Sequence, residues 1–303
     1  MLAYTYVDRD KFELKEKPVP KICGPRDAVV KVTLASICTS DLHIKHGSVP
    51  LAVKGITLGH EREGLGEEVG PAIKNVRRGG SWCENDQRFC AHRWFCKRGY
   101  VNNCTDKNGG WALGCRIDGG QAEYVRVPFA DTNLVKIPES VSDERALFVG
   151  DVLATGYWAA KISEAEEGDE ILIIGAGPVG LCAAMCARLK RPSRIILCEK
   201  SAWRRGFAKK LLPEAECISP ADMPEIMRTF ARGGADRVLE CGGNAQTFDM
   251  AWRYARPNAV VVVAALYDGA QVLPLPDMYG KNLTLKFGGV DGCDCEEILK
   301  LIE

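Results

Sequence analysis

The sequence predicts an α/β protein with two parts, a β-rich N-terminal region followed by a region built on a parallel sheet. Between Ala28 and about Pro138, short β-rich runs such as AVVKVTL and AEYVRVPF are separated by clusters of Gly, Pro, Asn and Asp. From about Ile162, apolar strands alternate with helical runs, beginning with ILIIG and PVGLCAAMCARL. Strands that alternate with helices indicate a parallel sheet with right-handed crossovers.

The composition excludes several classes of partner. The chain has 303 residues, 46% of them hydrophobic, and its 40 basic residues balance its 40 acidic ones. A balanced charge gives no general attraction to nucleic acid or to an anionic membrane, so we expect small-molecule partners. The charged N-terminus has no apolar signal segment, which predicts a cytoplasmic protein. The uncharged run Ile171 to Ala187 contains Gly and Pro and is better explained by a buried strand, a turn and a helix.

The hexapeptide GAGPVG predicts a nucleotide site of the Rossmann type. It follows the apolar run ILII and opens a helix at Pro178 and Val179, which is the context that the G-x-G-x-x-G fingerprint requires. Gly175 allows the tight turn, Gly177 lets the backbone approach a pyrophosphate, and Gly180 allows the helix to pack closely on the strand. The amide groups at the helix start attract phosphate.

The residues after the next strand bear on the choice between NAD and NADP. Glu199 ends the run RIILCE, where an acidic side chain can accept hydrogen bonds from both ribose hydroxyls and repels a 2′-phosphate. The sequence therefore favours NAD. The competing interpretation is NADP, with the 2′-phosphate held by Lys200, Arg204 and Arg205.

Three separated segments of the chain carry good metal ligands. Cys38 lies in ICTSDLH and His60 in LGHE, and both occur with polar neighbours in β-rich surroundings. Asp151, in GDVLATGYWA, comes directly before a predicted helix where the two parts of the chain meet. A thiolate, an imidazole and a carboxylate together would make a zinc site with one position left open.

With these segments in view, the chain resembles the zinc-dependent medium-chain dehydrogenases of the alcohol, sorbitol and threonine dehydrogenase group. The resemblance rests on CTSDLH, GHExxG, GGQAEYVRVP, DVLATGYWA, GAGPVG and FGGVDG and covers nearly the whole chain. It implies a GroES-like zinc-binding catalytic domain over residues 1–155 and a Rossmann NAD(P)-binding domain over residues 156–290. Residues 291–303 would begin a return to the catalytic domain, so we expect the chain to be truncated relative to the family.

The resemblance also implies roles for individual residues. It makes Cys38, His60 and Asp151 the catalytic zinc ligands, with Glu61 approaching the metal when substrate is absent. Ser40 and His43 correspond to the hydroxyl and imidazole that relay the alcohol proton to solvent, and Thr155 corresponds to a residue beside the nicotinamide.

A cysteine-rich lobe departs from the family pattern. The family has four cysteines around a structural zinc, and this chain keeps three of them, Cys90, Cys96 and Cys104. Arg93 stands in the second place and cannot bind a cation. His92 or Cys83 would have to substitute for the missing thiolate, so the sequence leaves open whether this lobe binds zinc.

Two further stretches differ from the family. The segment GGSWCENDQRFCAHR, from Gly79 to Arg93, has low strand propensity and several charges, which predicts that a family strand is lost or rewritten here. Arg62, Glu63 and Glu67 break the apolar alternation expected of the strand after GHE.

The sequence as a whole predicts an NAD(P)-dependent zinc alcohol dehydrogenase acting on a secondary alcohol or polyol, or reducing the matching ketone. The alternative is a family member that binds nucleotide but is catalytically impaired by its altered lobe and short C-terminus. A zinc-independent quinone-reductase-like enzyme would leave Cys38, His60 and Asp151 unexplained. The resemblance further implies a homodimer or homotetramer formed partly through the sheet edge near Leu283 to Phe287.

Overall fold

A computed structural model describes residues 1–292 and 294–303 of the chain. The chain divides into two compact units, one comprising Met1–Ala154 with Asp291–Glu303 and the other comprising Thr155–Val290. The predicted α/β class is confirmed, because the first unit is β-rich and the second contains a parallel sheet. Among the described residues, every helix is too short or too polar to span a lipid bilayer.

The first unit is built on antiparallel sheets. Its elements are β1 (Leu2–Asp8), β2 (Lys11–Glu16), β3 (Ala28–Ala35), α1 (Thr39–Lys45), β4 (Arg62–Val69), β5 (Ser81–Glu84), β6 (Tyr124–Val127), α2 (Ala130–Asn133), β7 (Leu134–Lys136), α3 (Asp143–Ala146) and the start of α4 (Val152–Ile162). β1 pairs with β2, and the larger sheet has the order β6-β3-β4-β5-β7. Its core is apolar, with Val30, Trp82 and Val125 among the buried side chains.

Of the two outcomes expected between Gly79 and Arg93, loss of the strand was wrong, because a strand is present there. β5 lies in this segment and pairs with β4 on one side and with β7 on the other. Trp82 packs into the core, which stabilises the strand despite its low propensity. Neighbouring strands supply the backbone hydrogen bonds, and this tertiary context outweighs local preference.

Arg62, one of the charges that interrupt β4, is accommodated by an ion cluster. Arg62 and Arg88 are both fully buried, and both pair with the buried carboxylate of Glu84 at the end of β5. The Arg88–Glu84 distance is 2.7 Å. Burial lowers the pKa of Arg62 well below its usual value and lowers that of Arg88 to about 9. Removing the shared carboxylate would leave two buried cations without their counterion.

The second unit contains a parallel sheet with the order β10-β9-β8-β11-β12-β13. Its central strand carries the run Ile171 to Ile174, which is almost completely buried because helices cover both faces of such a sheet. The elements are β8 (Glu170–Ile174), α5 (Pro178–Arg188), β9 (Arg194–Cys198), α6 (Ala202–Leu211), β10 (Glu216–Ile218), α7 (Met223–Met227), β11 (Ala235–Glu240), α8 (Ala245–Arg253), β12 (Ala255–Val263), α9 (Leu275–Met278) and β13 (Thr284–Phe287).

The last helix, α10 (Cys295–Ile302), belongs to the first unit. Ile298 and Leu299 are buried, and the hydroxyl of Ser140 donates a hydrogen bond of 2.8 Å to the carboxylate of Glu303. The backbone N–H of Asn102 donates to the carboxylate of Asp291 at 3.2 Å. These contacts attach the end of the chain to the first unit.

Candidate functional site

The first of the site residues lies at the start of a short helix. Cys38 is the N-cap of α1, and its backbone N–H donates to the carboxylate of Asp41 at 3.1 Å. This reciprocal capping fixes the turn that carries both Cys38 and Ser40. The hydroxyl of Ser40 donates to the Cys38 sulfur at 2.9 Å. His43 follows one turn further along the same helix and is half-buried.

Residues distant in the sequence meet this sulfur within the first unit. His60 lies two residues before β4 and is buried, with Nε2 lying 3.2 Å from Asp151 Oδ2 and 3.3 Å from Ser40 Oγ. Asp151 precedes α4, and its Oδ2 lies 3.5 Å from Cys38 Sγ. Glu61 lies beside them and accepts a hydrogen bond from the hydroxyl of Ser36. One ligand atom from each of Cys38, His60, Glu61 and Asp151 lies within 4.8 Å of the others.

This donor set fits a zinc ion. It combines one sulfur, one imidazole nitrogen and carboxylate oxygens, all of them established zinc ligands. The Oε1 atom of Glu61 is buried and has no hydrogen-bond partner among the described residues. A bound cation would satisfy this atom and would compensate the negative charge gathered here.

The pKa shifts of the residues in the cluster also favour a bound cation. Burial raises the pKa of the Cys38 thiol. Burial, followed by the charge of Asp151, raises the pKa of Glu61 to about 8. For His60, burial opposes the charged form, but the hydrogen bonds to Asp151 and Cys38 outweigh it and raise the pKa well above its usual value. The cluster therefore favours added positive charge, which protons or a metal ion can supply.

The glycine turn in the second unit has the geometry of a phosphate-binding site. Gly175 has φ of 97°, in the region that favours glycine, and Gly177 is the N-cap of α5 with Pro178 at the first helical position. A Cβ at Gly180 would lie 1.9 Å from the carbonyl oxygen of Gly175, so only glycine permits this packing. Val179 follows on the first turn of α5.

The acidic residue predicted to bind ribose lies next to this turn. Glu199 follows β9 and is buried, and its carboxylate accepts the N–H of Ala176 at 2.9 Å and that of Ser201 at 2.7 Å. Arg204 on α6 places Nη1 4.0 Å from the same carboxylate, whereas Lys200 is exposed. An acidic and a basic group therefore both lie beside the turn.

Comparison with known proteins identifies the family. Residues 24–139 match the alcohol dehydrogenase GroES-like domain, and residues 178–303 match the zinc-binding dehydrogenase family. An alcohol dehydrogenase of Cupriavidus necator is 33% identical over 291 residues, which cover 91% of this chain and 79% of the relative. The chain belongs to the zinc-dependent medium-chain alcohol dehydrogenase family.

Solved structures of this alcohol dehydrogenase family share the fold. Zinc dependent alcohol dehydrogenase 2 from Streptococcus pneumonia, in its apo form, has a TM-score of 0.92 at 32% identity, with 100% of this chain and 86% of that chain covered. A zinc-binding dehydrogenase from Sinorhizobium meliloti 1021, solved bound to NADP, has a TM-score of 0.86 at 26% identity, covering 99% and 87%. The predicted family and its GroES-like and Rossmann-type parts are confirmed.

The cysteine-rich lobe of this alcohol dehydrogenase brings three sulfurs together. Cys90 Sγ lies 3.8 Å from that of Cys96 and 3.7 Å from that of Cys104, and all three residues are buried. Arg93 does not join them, because its guanidinium pairs with Asp106 at 3.1 Å.

The two substitutes considered for the missing thiolate lie outside this group. Cys83 is in β5, where its sulfur contacts the carbonyl of Ala146 at 3.5 Å. His92 directs Nδ1 to the carbonyl of Cys90 at 2.8 Å. Among residues 1–292 and 294–303, the metal-binding group at the lobe consists of three cysteines alone.

Sequence reasoning missed two residues around His60. The Oδ1 atom of buried Asp41 lies 3.8 Å from His60 Nδ1, while its Oδ2 accepts a hydrogen bond of 2.8 Å from Gln121. Trp111 packs edge-on against the imidazole, with 5.8 Å between ring centroids. An acidic residue three positions after the N-cap was a signal for Asp41, because that spacing matches a capping box. Trp111 had no comparable signal.

Proposed function

We propose that this alcohol dehydrogenase holds zinc on Cys38, His60 and Asp151 and transfers hydride between an alcohol and NAD. The substrate is a secondary alcohol or polyol, or in reverse the matching ketone. The observation that carries the proposal is the convergence of a sulfur, a nitrogen and carboxylate oxygens within 4.8 Å in one compact unit. We assign catalysis to residues 1–155 with the return segment 291–303, and nucleotide binding to residues 156–290.

Three protein ligands leave a fourth zinc position for substrate, an arrangement for which alcohol dehydrogenases are an established example. Zinc bound there acts as a Lewis acid that lowers the pKa of an alcohol hydroxyl. Glu61 is the natural occupant of the fourth position in the absence of substrate, because its buried Oε1 has no other partner among the described residues.

The chain supplies a route for the proton that the alcohol must lose. The Ser40 hydroxyl lies beside the ligand atoms, 2.9 Å from Cys38 Sγ and 3.3 Å from His60 Nε2, so it is placed to accept the proton. We propose that His43, one turn further on α1, receives it from Ser40. A histidine is suited to this step because its ordinary pKa lies near neutrality.

The cofactor assignment rests on the neighbourhood of the glycine turn. We propose that Gly175, Gly177 and Gly180, with Pro178 and Val179 at the helix start, hold the pyrophosphate. Thr155, which is buried on α4, would lie beside the nicotinamide. Glu199 would select NAD, since a buried carboxylate repels a 2′-phosphate. In the competing interpretation, Arg204 and Lys200 would bind the 2′-phosphate of NADP. The Sinorhizobium meliloti relative was solved with NADP.

The metal proposal is tested by assaying zinc content and NAD(P)H formation against a panel of secondary alcohols and polyols. We expect Cys38→Ser to lose both zinc and turnover, while the matched control Cys23→Ser, at an exposed cysteine, keeps both. Full activity in zinc-free protein would overturn the proposal. Zinc-loaded protein that binds cofactor without turning over any alcohol would favour the catalytically impaired alternative.

The cofactor proposal is tested separately by comparing kcat/KM for NAD and NADP. We expect NAD to be preferred by about tenfold or more, equivalent to about 1.4 kcal/mol. Glu199→Gln should reduce the ratio of kcat/KM for NAD to kcat/KM for NADP, because it removes the charge that repels the 2′-phosphate. Arg204→Ala should raise that ratio. A wild-type preference for NADP that Arg204→Ala abolishes would reverse the assignment.

A further inference from the structure

Among residues 1–292 and 294–303, the cysteine-rich lobe has three ligands for a metal ion, one fewer than the tetrahedral zinc of the family. Cys90, Cys96 and Cys104 are 0%, 9% and 7% exposed, and their sulfurs lie close enough to share one cation. Phe89 and Phe129 pack against the three cysteines, so the surroundings of the sulfurs are apolar. Structural zinc sites almost always have four protein ligands.

The place of the fourth ligand is taken by a cation. Arg93 occupies that position in the sequence, and its guanidinium has donors only, so it cannot bind a metal. It is held by the 3.1 Å pair with Asp106. The imidazole of His92 is engaged with the carbonyl of Cys90 at 2.8 Å. A zinc ion held by the three sulfurs would have to complete its tetrahedral shell with water, because no fourth protein ligand joins them among the described residues.

The charges around the lobe suit a different kind of ion. Three thiolates around a monovalent cation would keep a net charge of about −2, which needs compensation when buried. Arg26 approaches the lobe, with Nη2 3.5 Å from the carbonyl oxygen of Cys90, and its guanidinium lies 4.7 Å from the centre of the Phe129 ring. Thiolates are soft ligands that select soft cations, and Cu(I) is one of them.

We propose that the lobe formed by Cys90, Cys96 and Cys104 binds a monovalent, three-coordinate thiophilic cation such as Cu(I) in place of tetrahedral zinc. The three sulfurs bind the ion, and protons held by the thiols leave to solvent when it binds. Arg93, which replaces the fourth thiolate in the sequence, provides no ligand. This inference is independent of the proposed function, because none of its residues belongs to the Cys38 cluster.

Zinc counting tests the first half of the proposal. Wild-type protein, purified with zinc in excess, should hold about one zinc per chain, and Arg93→Cys should hold about two, because the substitution restores the fourth thiolate. Cys38→Ser in each background identifies which zinc belongs to the Cys38 cluster. Two zinc ions in wild-type protein, one of them retained in Cys38→Ser, would overturn the proposal. An empty Cys38 cluster would instead count against the proposed function alone.

Copper titration tests the second half and does not depend on the folding of Arg93→Cys. Zinc-loaded wild-type protein is titrated anaerobically with Cu(I) against a chromophoric chelator. We expect one tight site per chain, weakened at least about tenfold in Cys96→Ser and unchanged in Cys23→Ser, which lies at an exposed cysteine outside the lobe. Absence of a tight site would overturn the proposal, as would equal binding by wild-type protein and Cys96→Ser. Circular dichroism verifies that Cys96→Ser is folded.

Discussion

Two buried clusters that contain cysteine lie in the first unit, and they differ in how their ligands are assembled. The Cys38 cluster draws different donor types from separated segments, with Asp151 far from His60 in the chain. The lobe draws three identical donors, Cys90, Cys96 and Cys104, from one loop. In the part of the chain that the structure describes, the first cluster has a fourth candidate ligand in Glu61, whereas the second has three ligands. A family resemblance can thus hold at one metal site of a chain and fail at the other.

The number and chemistry of the donors decide what each cluster can bind. A carboxylate that can enter and leave, such as Glu61, is compatible with a site that must exchange its fourth ligand. An arginine in the sequence position of the fourth cysteine provides no ligand, so tetrahedral coordination by four protein groups is not available from the described residues of the lobe. The following predictions test this difference, from the largest expected effect to the smallest.

Asp151→Ala should produce the largest change, because it removes a ligand of the Cys38 cluster. We expect zinc content to fall and kcat/KM to drop about a thousandfold, since Lewis-acid stabilisation contributes several kcal/mol. Metal analysis and steady-state kinetics check this outcome. The control is Asp277→Ala, at an exposed residue of α9 outside both clusters, which should change neither quantity. Activity within tenfold of wild type would remove Asp151 from the ligand set.

Glu84→Gln should have the largest effect on stability. Glu84 pairs with Arg62 and Arg88, and neutralising it leaves both buried guanidinium groups without their shared counterion. We expect the free energy of unfolding to fall by about 3–5 kcal/mol, measured by urea denaturation. Glu67→Gln, which breaks an exposed pair with Arg78, should cost less than about 1 kcal/mol. Equal effects would show that the buried pairs add no more than surface ones.

The two clusters and β5 show which features of the molecule can be predicted from the sequence and which cannot. Cys38, His60 and the glycine turn are predictable because their chemistry is carried by short local motifs. Whether β5 would be lost or rewritten could not be decided from the sequence, because the strand depends on Trp82 entering the core and on Glu84 pairing with Arg62 from an earlier strand. The strand propensity of a short segment does not account for contacts with residues that are distant in the chain.

Asp41→Asn tests whether the Cys38 cluster depends on an outer carboxylate. Asp41 accepts the N–H of Cys38 and so fixes the turn at one ligand, and its Oδ1 lies 3.8 Å from Nδ1 of a second ligand, His60, within ion-pair distance. We expect zinc affinity or kcat/KM to fall about 10- to 100-fold, the usual effect of removing such a partner. The zinc dissociation constant, measured with a competing chelator, separates loss of metal from loss of turnover. An unchanged zinc dissociation constant would show that Asp41 only caps the helix.

Asp106→Asn is the corresponding change at the lobe and should have the smallest effect. The Arg93–Asp106 pair is partly exposed, with side chains 43% and 18% accessible, so its loss should cost at most about 1 kcal/mol in urea denaturation. The Oδ1 atom, which accepts the N–H of Asn108 at 3.0 Å, is retained in asparagine. Kinetics and bound metal should stay within about twofold of wild type, because a carboxylate outside the sulfur group provides no metal ligand. A fall in bound metal would make Asp106 the missing fourth ligand, and the contrast between the two clusters would then disappear.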